Sequence, residues 1–233
     1  MKLIFIQAII LLFSVSFLIP HSITNAQSSN SQVFTSDSRP YGVPYHEWIG
    51  KWWGWWFGMP NDVHPVYNYS DTKRCTINQE GPVWFLPDVL SAEGQIKVTC
   101  NVPLGKSILL PLTTTIAERA IETEDKCPDL AVCADNINTP PGNIYVTVDD
   151  VKVDASKLKG KTGLFNVTFP ENAVQKFGHV IPGIYPGMAT GYFLFLHDVP
   201  AGTHHIELSV ADVIKPSVKA DPPRMGSFDI IVK

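Results

Sequence analysis

Apolar residues are spread along the 233-residue chain in three different ways. Leu3–Ile19 is an almost unbroken apolar run behind the single base Lys2. Gln27–Pro40 is rich in Ser, Gln and Asn and has little to bury. From Tyr41 onward, short apolar runs recur between Pro, Gly and Asp. They are Val83–Leu86, Ile96–Cys100, Ser107–Leu110, Asn143–Val148, Leu164–Phe169, Tyr192–Leu196, His205–Val210 and Phe228–Val232. Ile144, Val146 and Val148 alternate with polar residues, as do Phe165, Val167 and Phe169, which is the period of a half-buried strand. The 16 glycines and 19 prolines supply the punctuation for many short connections. The expected fold is mainly β: an antiparallel β-sandwich, immunoglobulin-like or jelly-roll-like, of about eight or nine strands.

One segment follows a helical period instead. Tyr45–Gly58 lies between Pro44 and Pro60, and Trp48–Trp56 holds five of the six tryptophans. At 100° per residue, Gly50, Gly54, Gly58, Glu47 and Lys51 fall on one side. Trp48, Trp52, Trp55, Trp56 and Met59 cover the other, widened by Ile49, Trp53 and Phe57. Each mid-helix glycine costs roughly 1 kcal/mol relative to alanine, so close packing of the glycine face against a backbone is expected to compensate. The indoles then serve either as core or as a face that meets a ligand or a partner. A weaker helix is expected at Thr115–Thr123, where Ile116, Ala117, Ala120 and Ile121 share a face.

The first 26 residues read as a signal peptide: Lys2, the apolar run, the breaker Pro20, and small residues at Thr24-Asn25-Ala26. Residues 27–40 read as a flexible spacer and 41–233 as one domain. The competing reading is a retained anchor, since the run is near the shortest length that spans a bilayer. Nothing later in the chain is long enough to span, so no membrane crossing is expected once the signal is removed. Secretion to an extracellular or cell-surface location gives Cys75, Cys100, Cys127 and Cys133 an oxidising destination. Four cysteines allow three pairings, and sequence proximity favours Cys75–Cys100 and Cys127–Cys133. No C-x₂-C spacing supports zinc. Asn68-Tyr69-Ser70 and Asn166-Val167-Thr168 are candidate glycosylation triplets.

Charge then narrows the partners. The chain carries 18 Lys+Arg and 22 Asp+Glu, a net charge of −4. Met1–Ala26 contain one base and no acid, so the remainder sits near −5. Such a domain does not grip nucleic acid or an anionic bilayer electrostatically. No phosphate loop, G-x-S-x-G elbow or H-E-x-x-H is present, so no catalytic residue and no cofactor is assigned. His204-His205-x-Glu207 invites a metal reading, but on a strand His204 points away from the other two, and a structural role is preferred. Asp149-Asp150 reads as a hairpin turn. His46, Glu47 and His64 lie near the tryptophan helix and form a candidate polar corner of a cleft.

Tyr41-Gly42-x-x-Tyr45-x-Glu47-Trp48-x-x-x-Trp52-Trp53-x-Trp55 resembles the opening of a family of exported prokaryotic proteins. The likeness continues through Gly81-Pro82-Val83-Trp84-Phe85-Leu86, Cys100-x-Val102-Pro103-x-Gly105-Lys106, Val148-Asp149 and Gly202-x-His204-x-Ile206. Asp150 stands where a V-D-G hairpin is expected, and Cys127/Cys133 sit in a variable insertion. The resemblance implies an exported β-sandwich protein and brings no established activity. The expected function is therefore non-enzymatic: binding of a glycan or an envelope protein through His46, Glu47, Trp53 and Trp55. A secreted hydrolase with carboxylate or histidine groups and an accessory subunit of an envelope complex are the alternatives.

Overall fold

The computed structural model describes residues 32–91, 93–120, 126–135, 143–173, 180–211 and 223–233. The expected signal peptide, the first part of the spacer and the end of the weaker helix expected at Thr115–Thr123 lie outside the described residues. The chain forms helix α1 (Tyr45–Phe57) and strands β1 (Val83–Phe85), β2 (Ile96–Val102) and β3 (Ser107–Glu118). The short helix α2 (Leu130–Cys133) follows, then β4 (Ile144–Val148), β5 (Val151–Lys152), β6 (Lys159–Lys161) and β7 (Phe165–Phe169). The chain ends with β8 (Gly183–Leu196), β9 (Gly202–Val210) and β10 (Arg224–Val232).

Two sheets face each other. The first runs β1-β3-β8-β6, with β7 also paired to β8; the second runs β2-β10-β9-β4-β5. The sandwich is as expected, and its sheets are mixed: β1 pairs with β3, and β2 with β10, in parallel. The second sheet is buried on one side only. Its strands therefore alternate, with Ile144, Val146, Val148, Ile206, Leu208, Val210, Phe228 and Ile230 pointing into the core between the sheets.

The first sheet is covered on both sides, because α1 lies across its outer face. Residues of one strand are thus divided between two cores. Tyr192, Leu194 and Leu196 enter the inter-sheet core, while Phe193 and Phe195 pack under the helix. In β3, Ile108, Leu110 and Leu112 face the sandwich and Leu109 faces the helix. This double burial is why Ser107–Leu112 and Tyr192–Leu196 read as continuous apolar runs.

Thr115–Glu118 is strand, not the start of a helix. Thr113, Thr114, Thr115 and Ile116 are β-branched in succession, and the long β8 gives them partners from Tyr192 to Ala189. Residues Val33–Ser36 are not a loose spacer either. Val33 bridges Leu196, Phe34 N–H donates to the Phe195 carbonyl at 2.9 Å, and the Phe34 ring meets the Phe195 ring edge-on at 5.1 Å. The folded region therefore reaches back at least to Gln32, whose carbonyl accepts from His197 N–H at 2.8 Å. Disulfides join Cys75 to Cys100 and Cys127 to Cys133, the pairings that proximity favours. Asp149 and Asp150 form the β4–β5 turn with φ of 49° and 65°, the pattern of a type I′ hairpin.

Candidate functional site

The orientation of α1 decides which of its two faces is available. Tyr45, Ile49, Trp52 and Trp56 face the first sheet and are at most 2% exposed. Four polar anchors fix the helix there. Tyr45 Oη donates to the Phe193 carbonyl at 2.6 Å, and burial pushes its hydroxyl far above the ordinary tyrosine range. Trp48 Nε1 donates to the Pro40 carbonyl at 3.1 Å, Trp52 Nε1 to Leu86 at 2.8 Å, and Trp55 Nε1 to Ile77 at 2.9 Å. An indole buried with its N–H satisfied serves as core and anchor together.

Trp53 and Trp55, expected as ligand platforms, are 8% and 7% exposed. Trp53 stacks on Phe57 at 5.2 Å and meets Trp52 edge-on at 5.0 Å. Trp55 is wedged against Trp56 and Phe85 at 6.0 and 5.7 Å. Protein atoms cover their ring faces, because the outer face of a two-sided sheet needs an apolar cover and the indoles provide it.

The glycine face is the open one. A cleft of about 460 Å³ is lined by His46, Glu47, Gly50, Lys51 and Gly54 of α1, by the β6–β7 connection (Thr162–Leu164) and by Phe165 and Asn166 at the start of β7. A Cβ placed at Gly54 would meet nothing within 4 Å, and one at Gly50 would touch the Phe165 ring at 3.4 Å. The expected close packing of these glycines against a backbone is therefore absent. Close approach is achieved from the sheet side: a Cβ on Gly160 of β6 would lie 2.6 Å from Ile49 Cδ1 and 3.4 Å from the Tyr45 ring. Gly54, open, and Gly50, which meets only the Phe165 ring, instead form a side-chain-free floor. Phe165 is a half-buried wall, Leu164 is 68% exposed, and His46, Glu47, Lys51 and Asn166 supply polar groups at the rim. Lys51 reaches over the Trp48 ring at 5.6 Å, and no Glu47–Lys51 ion pair forms among the described residues.

The site residues named from sequence thus separate. His46 and Glu47 enter the cleft, while Trp53 and Trp55 do not. Gly50, Gly54, Thr162, Leu164 and Phe165 were not singled out as site residues. The available signal was the clustering of glycines with Glu47 and Lys51 on one side of the helical wheel. His64 is likewise outside the cleft. It is fully buried, with Nε2 donating to the Trp56 carbonyl at 3.0 Å and Nδ1 accepting from Val66 N–H at 3.2 Å. Burial, with the Arg74 charge acting in the same direction, lowers its pKa to about 4.

On the outer face of the second sheet, His205 Nδ1 lies 2.8 Å from Asp229 and Nε2 3.3 Å from Glu207, while Lys97 bridges Asp229 at 2.8 Å. The Asp229 hydrogen bond raises the His205 pKa. His204 turns aside to Asp149, 2.7 Å away. No group of three metal-type side chains converges among the described residues. Asn68 and Asn166 are both exposed.

No family model matches the chain, and no curated protein matches it. Among solved structures, the chain is similar to amebosin, determined in solution, at 12% identity and a TM-score of 0.18. The match covers 60% of this chain and 99% of that one, a likeness too low to carry an argument. No helix among the described residues is long and apolar enough to cross a membrane.

Proposed function

We propose that the protein is an exported, non-enzymatic binding protein that takes a glycan or another envelope component into the cleft on the glycine side of α1. The observation that carries this reading is the open glycine Gly54, one turn from Gly50, which packs beside the Phe165 ring. Alanine at Gly54 would fit without contact and would strengthen the helix, so the bare floor is held at a cost in stability. A floor without side chains lets a flat ring approach the helix backbone closely. Phe165 offers an aromatic wall for an apolar sugar face, and Glu47, Lys51, His46 and Asn166 are within reach of its hydroxyls. The two disulfides fit an oxidising destination.

The hydrolase alternative needs a second acid beside Glu47. Glu47 is the single carboxylate among the described lining residues, which favours binding over two-carboxylate chemistry.

Gly54→Phe fills the floor from a position with open space around it. The wild type is expected to be retained on insoluble cellulose, chitin or peptidoglycan, and Gly54→Phe to lose that retention with an unchanged unfolding midpoint. Equal retention by both proteins, or none by the wild type, refutes the reading.

A further inference from the structure

The chain carries two Asn-x-Ser/Thr triplets, the acceptor sequence for N-linked oligosaccharide, and the fold presents them differently. Asn68-Tyr69-Ser70 follows the 3₁₀ turn Pro65–Tyr67. Asn68 N–H donates to the Pro65 carbonyl at 2.9 Å and closes that turn. The Asn68 side chain then reaches forward along its own triplet, where Oδ1 accepts from Ser70 N–H at 3.2 Å and from the Ser70 hydroxyl at 2.7 Å. The middle residue is tied down: half-buried Tyr69 donates its hydroxyl to the Asp88 carbonyl at 2.8 Å. Asn68 and Ser70 are exposed, and Asn68 Nδ2 has no hydrogen-bond partner among the described residues.

Asn166-Val167-Thr168 lies within β7. Val167 is fully buried in the core under α1 and sits opposite Tyr185 of β8, with Asn166 opposite Pro186 and Thr168 opposite Ile184. In an extended strand, residues two apart stand about 6–7 Å from each other, so the Asn166 amide and the Thr168 hydroxyl do not meet. Bringing them together means peeling β7 from β8 and lifting Val167 out of the core. A surface-loop triplet enters a transferase's groove as it stands, whereas a paired strand enters only after local unfolding.

We infer that Asn68, and not Asn166, is the N-glycosylation site of the folded protein, with a lipid-phosphate-linked oligosaccharide as the donor. Asn68 Nδ2 attacks the anomeric carbon of the first sugar, the bond from that carbon to the phosphate oxygen breaks, and the lipid phosphate leaves. Nδ2 gives up one proton to a base of the transferase. The Ser70 hydroxyl, the second element of the acceptor triplet, already sits beside the Asn68 amide. Transfer to Asn166 would instead place an oligosaccharide at the cleft that this residue lines. The inference rests on export, which puts the chain where such transferases act, and not on what the cleft binds.

Peptide mass analysis of the full chain purified from its own host tests the assignment. The peptide containing Asn68 is expected to carry the mass of one oligosaccharide, and the peptide containing Asn166 none. Expressed in the same host, Asn68→Gln and Ser70→Ala should lose the added mass, while Ser70→Thr, which keeps the hydroxyl, and Asn166→Gln should retain it. Both side chains of the loop triplet are exposed, so these variants are expected to fold with an unchanged unfolding midpoint. An unmodified Asn68 in the wild type overturns the inference, as does an oligosaccharide on Asn166 or an added mass that survives Ser70→Ala. Gly54→Phe leaves this triplet untouched, so failure of the binding reading and failure of the modification are separate results.

Discussion

His64 and His205 respond to pH in opposite senses because one is buried and the other is bridged by acids. The folded His64 holds its proton only below about 4, against 6.5 when unfolded. Between those values the unfolded chain binds the extra proton, so stability is full above pH 6.5 and falls as the pH drops toward 4. The expected loss is on the order of 3 kcal/mol. The raised pKa of His205 works the other way, adding stability that is present below pH 6.5 and lost as pH rises through the shifted value. Being exposed, that ladder is screened and cannot offset the His64 loss. Urea unfolding across pH 4–7 is expected to show the decline, and a flat profile would contradict the burial argument. Asp150 makes a second residue-level case. It occupies a left-handed position that glycine fills without strain, so Asp150→Gly should gain about 0.5–1 kcal/mol in thermal unfolding.

At the scale of elements, α1 divides its work by face. Trp52 is fully buried between Phe193 and Trp56, and Trp52→Ala should cost about 3–5 kcal/mol. Gly54→Ala points into the cleft and should gain about 0.5–1 kcal/mol. Opposite signs two residues apart, read from denaturation midpoints, would confirm the assignment of faces; destabilisation by Gly54→Ala would refute it. The wheel arrangement of these residues was legible in the sequence. Which face met the sheet was not, because glycine serves equally as a close contact or as open floor, and the neighbour decides. Thr115–Glu118 failed as a helix for a similar reason: Ile116, Ala117 and Ala120 suit a helical face, but four β-branched residues beside a strand with an open side pair instead.

At the scale of the molecule, the structure is three layers deep, with helix, first sheet and second sheet stacked around two cores. Cys75–Cys100 closes 25 residues and holds the turn below α1 to the second sheet. Replacing both cysteines with alanine should lower stability by about 3 kcal/mol in oxidising buffer. The cleft lies on the far side of the first sheet, so binding at temperatures where the variant stays folded should be unchanged; a parallel loss of affinity would show the cleft and that tie to be coupled. Cys127–Cys133 closes a much smaller loop and should matter less.

The sequence alone determined the local features: the alternating strands of the second sheet, the boundaries of the tryptophan helix, the hairpin at Asp149-Asp150 and the two cysteine pairings. These depend on periodicity, turn chemistry and short chain separations, which a one-dimensional pattern records. Tertiary structure decided which apolar runs were buried on both faces, how Val33–Ser36 joined β8, why the sheets became mixed, and where the cleft opened. Those outcomes depend on what lies across from each residue. A run such as Tyr-Phe-Leu-Phe-Leu does not reveal that its odd and even members serve different cores until a helix is laid on one side and a sheet on the other.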